Sequence, residues 1–555
     1  MTNDPVTNAP LTDDRASIGP MTIGPMTNDN KTNGPMANDC VTKDGEANDR
    51  EANDCVTNDC VTNDRGANDR EANSPLTNSC LTNDPKTNDP MTNDPMTNAP
   101  PMTDTSITAA ETAARMTTGP ATVSLTHRRI LTIAIPIVLS NATVPLLGAM
   151  DTAVIGHLGQ AAPIGAVGLG ATILTTLYWA FGFLRMSTSG LAAQAKGARD
   201  PVELSATLIR ALLMGAAAGL TLIALHPFLF SLAFQIVPAS PQVESLALTF
   251  LNIRIWAAPA TIGLYAITGY LVGTEHTRAI LVLQLWQNGL NMALDLWFVI
   301  GLGWGVAGVG TASLLAEVTG LALGLYLTRE ALVPLRAALI RLADPQAIRR
   351  TFSASRDILI RTVILQLSFT SFVFISARFG DASLAANAVL LQFLGIMAYA
   401  LDGFAFAAES LVGQAIGAKD PAALKRAARM AMQWGYGGAL LLAISFAVGG
   451  YAAIQVMTNV QAVQSQALAL LPWLIAAPLI SSAAWTYDGI FIGALMTHSM
   501  RNAAIQVAGL YAAALAILVP SFGNQGLWAA LMLMNAARGL TLRRAFPQIL
   551  ARAEA

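Results

Sequence analysis

The chain has 555 residues, of which 53% are hydrophobic and 12% are charged, with a formal net charge of −2 at pH 7. Soluble domains carry about 25% charged residues, so this composition excludes an ordinary soluble protein and favours a membrane protein. We expect the lipid bilayer as a partner and no nucleic acid.

The first part of the chain is a low-complexity repeat. Residues 1–103 repeat a five-residue phrase, as in MTNDP, VTNDC and LTNDP, and contain all four cysteines: Cys40, Cys55, Cys60 and Cys80. Such a segment cannot bury enough apolar area to offset the entropy lost on ordering, so we predict a disordered repeat over residues 1–120. The alternatives are a β-solenoid, which would need an inward apolar residue in each unit, and translation from a later methionine, which would remove the repeat.

From Arg129 onward, apolar runs of about 20 residues recur, each long enough to cross a hydrocarbon core of about 30 Å as a helix. Twelve spans are predicted: 130–152, 165–189, 205–229, 245–273, 279–300, 305–328, 356–377, 384–408, 424–449, 466–493, 501–520 and 524–542. An arginine-rich connector, 329–361, separates the two sets of six. The sequence therefore predicts an all-α integral membrane protein with twelve transmembrane helices in two six-helix lobes related by pseudo-two-fold symmetry. The first lobe covers 121–340 and the second covers 341–555.

Two similar loops indicate that the lobes arose by duplication. LAAQAKGARDP at 191–201 matches LVGQAIGAKDP at 411–421 at an offset of 220 residues, and each lies between two apolar runs. At the same offset, Gly269 and Gly273 of the fourth span match Gly489 and Gly493 of the tenth. Repetition of this kind is typical of a secondary transporter built from two equal bundles.

Basic residues fall on alternate loops, which predicts the orientation of the spans. Lys196–Arg210 and Lys419–Arg429 are basic segments, whereas 153–164, 226–244 and 450–465 contain neither Lys nor Arg. By the positive-inside rule, both termini and the repeated loops face the cytoplasm. The two lobes then have the same orientation, and the protein is a multi-pass component of the plasma membrane or bacterial inner membrane.

Acidic residues inside apolar spans are functional candidates because burying them is costly. Asp151 ends the first span in MDTAVIGHLG, and Asp295 lies in the fifth, in NGLNMALDLWFVIG. Asn288, Asn291 and Asp295 are three and four residues apart, so they share one helix face, and Asn291 can hydrogen-bond the carboxyl group in either protonation state. The matching part of the eleventh span, LYAAALAILV, has no acid. We therefore predict that Asp151, Asn291 and Asp295 couple transport to a proton or a small cation.

A second set of charged and aromatic residues is predicted to line a substrate cavity: Asn288, Arg185, Asp402, Glu409, Trp485 and Asp488. Asp402 and Glu409 lie seven residues apart in LDGFAFAAES, on one helix face, and Asp488 lies in WTYDGIFIGA among aromatic residues, as a cavity for an organic cation would require. The alternative is that Asp402 or Glu409 pairs with a buried basic group, for which Arg185 is available. Arg185 stands nearly alone as a basic residue of the spans. Glu317 is expected to be a packed, protonated acid or to lie near the lobe surface.

Other chemistry has no support in the sequence. The five histidines include no pair four residues apart, so no metal site is predicted, and neither glycine-containing loop has the arrangement of a Walker A motif. We therefore expect a protein that is not an enzyme, needs no cofactor and is driven by an ion gradient.

Several longer motifs resemble the multidrug and toxic compound extrusion (MATE) family, in particular the branch named for the DNA-damage-inducible protein F (DinF-like). They are MDTAVIGHLG, FGFLRMSTSGLAAQAKG, NMALDLWFVIGLGWGVAG, LDGFAFAAESLVGQAIGAKD and WTYDGIFIGA, and the resemblance covers roughly 125–545. It implies a twelve-helix antiporter that exports amphipathic, often cationic compounds against protons or sodium. It also implies ion-coupling roles for Asp151, Asn291 and Asp295. Further asparagines of the family's proton site are absent from the fourth span, where Tyr265 and Thr268 stand.

These observations together predict a drug or xenobiotic antiporter that works by alternating access in exchange for protons. The alternatives are a sodium-coupled antiporter and a lipid-linked oligosaccharide flippase of a related two-lobe fold. A flippase would need several arginines or lysines in its cavity to hold pyrophosphate, and the spans were expected to offer little beyond Arg185. The substrates are expected to be small amphipathic molecules and the protein a monomer.

Overall fold

The computed structural model describes residues 125–157 and 161–554, and its regular elements in this part are all helices. The predicted disordered repeat over 1–120 lies outside the described residues. The helices of the first lobe are α1 (His127–Ala142), α2 (Val144–Gly156), α3 (Ala161–Trp179), α4 (Phe183–Gly197), α5 (Pro201–Ile236), α6 (Pro241–Arg254), α7 (Ala258–Gly273), α8 (Thr277–Asp295) and α9 (Gly305–Leu327).

A short connector helix, α10 (Leu335–Leu342), packs on α5 and leads to the second lobe. The helices of that lobe are α11 (Pro345–Ser376), α12 (Asp381–Gly417), α13 (Pro421–Met457), α14 (Gln461–Gly493) and α15 (Thr497–Glu554).

Nine helical segments of the described chain are long and apolar enough to cross a membrane. The other three spans are accounted for by interruptions in the helices. The first span is α1 and α2, broken at Thr143, and the fifth is α8 followed by the π-helical turn Leu296–Gly301. Helix α15 contains the last two spans, which are joined at Gly523, where φ is +55°. The predicted twelve-helix, two-lobe membrane fold is confirmed, while the domain boundaries at 120 and 340 stay predictions.

Large apolar side chains point outward along the lobes, as expected of helices in lipid. Phe228 on α5 is 68% exposed and Val448 on α13 is 82% exposed. In contact with water, a belt of this kind would favour aggregation, whereas hydrocarbon is a favourable environment for it. The cores of the lobes are also apolar, with Phe230 buried in the first and Trp528 in the second.

The repeated loops form the same helix–turn–helix geometry in both lobes. Asp200 and Asp420 cap α5 and α13 by accepting hydrogen bonds from the N–H groups of Glu203 (2.9 Å) and Ala423 (2.8 Å). The proline that follows each aspartate occupies the first turn of the helix, where a missing N–H costs nothing. The Asp-Pro pair of the repeat is therefore a helix start.

Repeated glycines let helices within each lobe approach closely. A Cβ atom at Gly269 would lie 2.3 Å from the carbonyl oxygen of Arg185, and one at Gly489 would lie 2.1 Å from that of Ala405. Both distances are far below van der Waals contact, so only glycine fits at these crossings. This packing explains why the duplication retained Gly269 and Gly489 at one offset.

The two lobes meet where α4 crosses α12. A Cβ atom at Gly197 would lie 2.1 Å from the carbonyl oxygen of Gln414, and one at Gly417 would lie 2.0 Å from that of Gln194. The repeated loops thus lie at the contact between the lobes, beside the crossing of their own helices.

Candidate functional site

The predicted acids of the first lobe lie at interruptions of its helices. Pro145 has no N–H to bond to the carbonyl group one turn earlier, so the first span breaks at Thr143, and Asp151 follows on α2. Asp295 is the last residue of α8, directly before the π-helical turn. Wider turns of this type are frequent at functional sites because they redirect the backbone and change its hydrogen bonding. The interruptions bring polar backbone and side-chain groups to membrane depth.

The polar face predicted on α8 is buried. Asn288, Asn291 and Asp295 are 6%, 2% and 0% exposed. Asn291 donates a hydrogen bond to the hydroxyl of Ser313 on α9 (3.0 Å), while its own amide oxygen has no donor. Asn288 donates to the hydroxyl of Thr143 (2.7 Å), at the break of the first span.

The structure brings the carboxyl groups of Asp151 and Asp295 together. They lie within reach of a shared hydrogen bond, which forms once one of them carries a proton. Neither oxygen of Asp295 receives a hydrogen bond from an N–H or hydroxyl donor. Among the described residues, neither acid has a basic group within salt-bridge distance. A proton shared by the pair therefore removes one of two like charges that no salt bridge balances.

A partly buried arginine in this lobe was missed in the reading of the sequence. Arg254, at the end of α6, forms an ion pair with Glu317 on α9 (2.8 Å), and Glu317 also accepts a hydrogen bond from Thr261. The sequence reading had considered Glu317 without a partner, and the structure gives it one in Arg254. Arg254 also lies near enough to act electrostatically on Asp151 and Asp295.

The sequence predicted that Asn288 lines a substrate cavity with Arg185 and Asp488. The structure instead places Asn288 beside Asp151 and Asn291. It lines a cavity of about 160 Å³ inside the first lobe, together with Asp151, Asn291 and Glu317. The reason is its position on α8: it faces the break of the first span, on the side of the helix that carries Asn291 and Asp295.

A second cavity, of about 300 Å³, lies between the lobes. It contains the other predicted cavity residues, namely Arg185, Asp402, Glu409, Trp485 and Asp488, and in addition Arg361 and Arg538. Its volume is at the lower end of the range for small-molecule sites.

Asp488 is held by two arginines. Arg361 on α11 and Arg538 on α15 both donate hydrogen bonds to its Oδ2 atom, while Oδ1 has no donor. The side chains of Arg361 and Arg538 are 8% and 7% exposed. The guanidinium of Arg538 also lies over the ring of Trp485, with its Cζ atom 4.8 Å from the ring centroid. This triad, Arg361–Asp488–Arg538, has a net charge of +1.

Arg185 and Glu409 form a looser pair across the lobe interface. Their closest N–O distance is 3.5 Å, and the guanidinium lies over the ring of Phe406, 4.1 Å from its centroid. At the repeat offset, Arg185 corresponds to Ala405 and Glu409 to Ser189. The pair thus stands where the two lobes differ. Pairing of Glu409 with a buried basic group was one of the two alternatives left open by the sequence, and Arg185 is that group.

The expectation that Arg185 is nearly alone among the spans is wrong. Arg361 is the last residue of the arginine-rich connector, and Arg538 lies near the end of the last predicted span. Helices α11 and α15 carry both side chains to the cavity. The signal was present in the sequence, because both arginines and Arg254 fall inside predicted spans. What the sequence did not show was the direction in which each side chain points. The cavity therefore does contain several arginines, as a site for pyrophosphate would require.

The MatE family model matches this chain twice, over residues 136–297 and 358–519, once in each lobe. The chain is 39% identical over 412 residues to DNA damage-inducible protein F of Escherichia coli, an alignment that covers 74% of this chain and 90% of that protein. It is 25% identical to Protein DETOXIFICATION 44, chloroplastic, of Arabidopsis thaliana, covering 74% and 80% of the two chains.

A further relative is a probable multidrug resistance protein NorM of Rhizobium meliloti, 25% identical, with 78% of this chain and 95% of the relative covered. Among solved structures, the fold is similar to the MATE transporter VcmN of Vibrio cholerae in its bent form. That match has a TM-score of 0.69 and 18% identity and covers 77% of this chain and 97% of the other. Two family matches in one chain and a relative of 39% identity establish the membership. The chain therefore belongs to the MatE family of multidrug and toxic compound extrusion transporters and is a multi-pass drug efflux transporter of the DinF-like branch.

Proposed function

We propose that this chain is a secondary antiporter of the bacterial inner membrane that exports amphipathic organic compounds, including organic cations, in exchange for protons. The observation that carries the proposal is the Asp151–Asp295 pair. The two carboxyl groups adjoin at helix interruptions, that of Asp295 buried and that of Asp151 partly buried, and neither has a basic group within salt-bridge distance among the described residues. Such a pair can hold and release one proton. Such a pair binds or releases its proton according to the pH on the side of the membrane to which it is open.

Protonation would change how the first lobe packs. With a shared proton, α2 and α8 are joined by a hydrogen bond between carboxyl groups; without it, two like charges repel. The broken first and fifth spans can respond by bending at Thr143 and at the π-helical turn. The proton thereby biases the equilibrium between two arrangements of the lobe, which is what coupling by alternating access requires.

The orientation supports export. Arg129, Lys196 and Arg350 cluster at the end where the repeated loops meet, and the positive-inside rule assigns this end to the cytoplasm. In this arrangement the lobes are in contact on the cytoplasmic side, where α1 begins and α15 ends. Neither glycine-containing loop has the arrangement of a Walker A motif, so we propose that an ion gradient supplies the energy.

The test is efflux from proteoliposomes that contain the full chain. With a proton gradient, we expect wild-type protein to move an amphipathic dye, and Asp295→Asn to bind the dye but to move it no faster than without a gradient. Asp381→Asn, at an exposed acid at the start of α12, is the matched control and should resemble wild type. Undiminished pH-driven efflux by Asp295→Asn would refute the proposal.

A sodium-coupled antiporter is the second candidate, and one observation favours it. The amide oxygen of Asn291 has no donor and lies on the same helix face as Asp295, so it is available as a ligand to a small cation. Efflux that follows a jump in sodium concentration at constant pH, and that Asn291→Ala weakens, would establish sodium as the coupling ion in place of the proton.

A further inference from the structure

The charges of the cavity between the lobes differ from those that an organic cation requires. Three guanidinium groups line it, and Arg361 is close enough to Arg185 and Arg538 to be repelled by both. A site selected only for cations would place carboxylates there and exclude arginines. The positive charges of the arginines must therefore be balanced by negative charges, either within the protein or in the compound that binds.

Balance within the protein is incomplete at the triad. Two guanidinium groups share a single oxygen of Asp488, which leaves most of their N–H donors without a carboxylate. The Nε atom of Arg538 is buried and has no hydrogen-bond partner at all. An unsatisfied charged donor at this depth is costly, and an anionic oxygen in the cavity would satisfy it.

The other acids of the cavity do not reverse this surplus. Glu409 is matched by Arg185, at 3.5 Å. Asp402 lies beside the indole of Trp485 and has no basic group within salt-bridge distance among the residues described. Among the described residues, neither of these acids lies within salt-bridge distance of Arg361 or Arg538, so the two guanidinium groups still share the single carboxylate of Asp488.

Aromatic rings complete the site. Phe406 lies under the guanidinium of Arg185, Trp485 under that of Arg538, and Trp179 and Phe369 also line the cavity. Stacking on an aromatic ring fixes the plane of a guanidinium group, so that its paired N–H donors stay aligned for a planar anion such as a carboxylate. The rings themselves offer an apolar surface to the rest of the ligand.

We propose that Arg361 and Arg538, with Arg185 nearby, form a subsite for an anionic group, and that the compounds transported are amphipathic molecules bearing a carboxylate or phosphate. This inference rests on the proposed export function and specifies its substrate class. A zwitterion is accommodated as well, because Asp402 and Glu409 adjoin the same cavity. A purely cationic amphipath offers no group to Arg361 and Arg538 and binds more weakly.

The experiment compares a rhodamine dye that has a free carboxylate with its methyl ester, which is otherwise the same molecule. Equilibrium binding to the purified full-length protein is measured by fluorescence anisotropy. We expect the free acid to bind about tenfold more tightly than the ester, corresponding to about 1.4 kcal/mol. Equal binding, or tighter binding of the ester, would overturn the inference, and this comparison needs no variant to fold.

Two variants then test whether net charge is the cause. Arg361→Gln lowers the triad from +1 to zero and should abolish the preference for the acid. Arg361→Gln combined with Asp488→Asn leaves Arg538 as the single charge of the triad, which restores a net charge of +1. This double variant should recover much of the preference for the acid. Arg378→Gln changes an exposed arginine outside the cavity and should leave the preference unchanged. If the single and double variants lose the preference equally, the arginines have a structural role and the inference fails.

The anionic group has two possible sources, which competition distinguishes. Displacement of the acid dye by short-chain phosphatidate, but not by short-chain phosphatidylcholine, would assign the subsite to lipid head groups. Displacement by inorganic phosphate, with no effect of either lipid, would assign it to soluble compounds. Either result supports an anion subsite. Failure of the proton-coupling proposal is separate, because it would appear as efflux of both dyes that ignores the pH gradient while the binding preference persists.

Discussion

Gln194 of the first lobe and Gln414 of the second form equivalent hydrogen bonds across the lobe interface. The side-chain amide of Gln194 donates to the carbonyl oxygen of Gly493 (2.8 Å), and that of Gln414 donates to the carbonyl oxygen of Gly273 (3.2 Å). Each bond joins one lobe to the other. Since donors and acceptors are both repeat-related, the two bonds reproduce the pseudo-two-fold symmetry of the chain.

The oxygen atoms of these glutamines are used in the same way. The amide oxygen of Gln414 accepts a hydrogen bond from Arg129 (3.1 Å), and that of Gln194 accepts one from Arg350. Arg129 and Arg350 lie near the start of the first span of their respective lobes. Every polar atom of both side-chain amides is therefore engaged between the lobes. We call these two residues the interlobe glutamine pair.

Removing the glutamine pair should favour separation of the lobes at this end. Gln194→Ala with Gln414→Ala removes four interlobe hydrogen bonds of about 1 kcal/mol net each. It should therefore shift the equilibrium by about 4 kcal/mol, or roughly a thousandfold. Hydrogen–deuterium exchange of segments 191–201 and 411–421 measures this as faster exchange in both. Gln455→Ala, at an exposed glutamine on α13, is the control. Unchanged exchange in the double variant would show that the pair does not hold the lobes together.

The Arg254–Glu317 pair is expected to stabilise the first lobe only as a pair. Arg254→Gln leaves the partly buried Glu317 without its partner, which should lower the free energy of unfolding by about 1–3 kcal/mol. Arg254→Gln with Glu317→Gln removes both charges and should restore most of that loss. Thermal unfolding of the purified protein in detergent compares the three proteins. A double variant no more stable than the single variant would contradict a direct interaction.

Gly489 should not tolerate a methyl group. Its added Cβ would meet the backbone oxygen of Ala405, which cannot move without displacing α12, so Gly489→Ala should cost about 1–3 kcal/mol. Gly437→Ala is the matched control in the same lobe, because nothing lies within 4 Å of its added Cβ. That change should be neutral or stabilising by up to about 1 kcal/mol, since alanine favours helix. Equal unfolding temperatures for the two variants would argue against the close crossing.

The helix cap at Asp200 should contribute a pH-dependent part of stability. Partial burial acts to raise the pKa of Asp200, but the N–H of Glu203 and the guanidinium of Arg341, at 2.5 Å, outweigh it and hold the pKa below its ordinary value. A lowered pKa in the folded state means that this stabilisation is present above the unfolded-state value, about 3.9, and is lost as pH falls through the folded-state value.

Asp200→Asn tests this directly, because asparagine retains the cap but not the charge. We expect the variant to unfold at a lower temperature than wild type at pH 7 and the difference to shrink below about pH 4. Asp420→Asn changes the repeat-related cap of α13, which has no arginine within salt-bridge distance among the described residues. A pH-independent difference for Asp200→Asn would mean that the charge of Asp200 does not stabilise the fold.

The sequence by itself determined the features that depend on short-range pattern and length. The twelve apolar spans follow from the thickness of a bilayer, and the duplication follows from Gln194, Gln414 and the repeated glycines. Asp151 and Asp295 could be selected as candidates because an acid in an apolar span is rare and costly. None of these inferences needs to know which helix lies beside which.

Only the tertiary structure decided how the charges combine. Arg361, Asp488 and Arg538 come from three helices, separated by 127 and 50 residues along the chain, and their meeting depends on the rotation and depth of each helix. Arg254 and Glu317 were likewise joined only by packing. The net charge of a binding cavity is the sum of the charges of such groups. A small rotation of a helix can turn a charged side chain into the cavity or away from it. The sequence therefore specifies a two-lobe transporter, whereas its tertiary packing determines which charges face the transported compound.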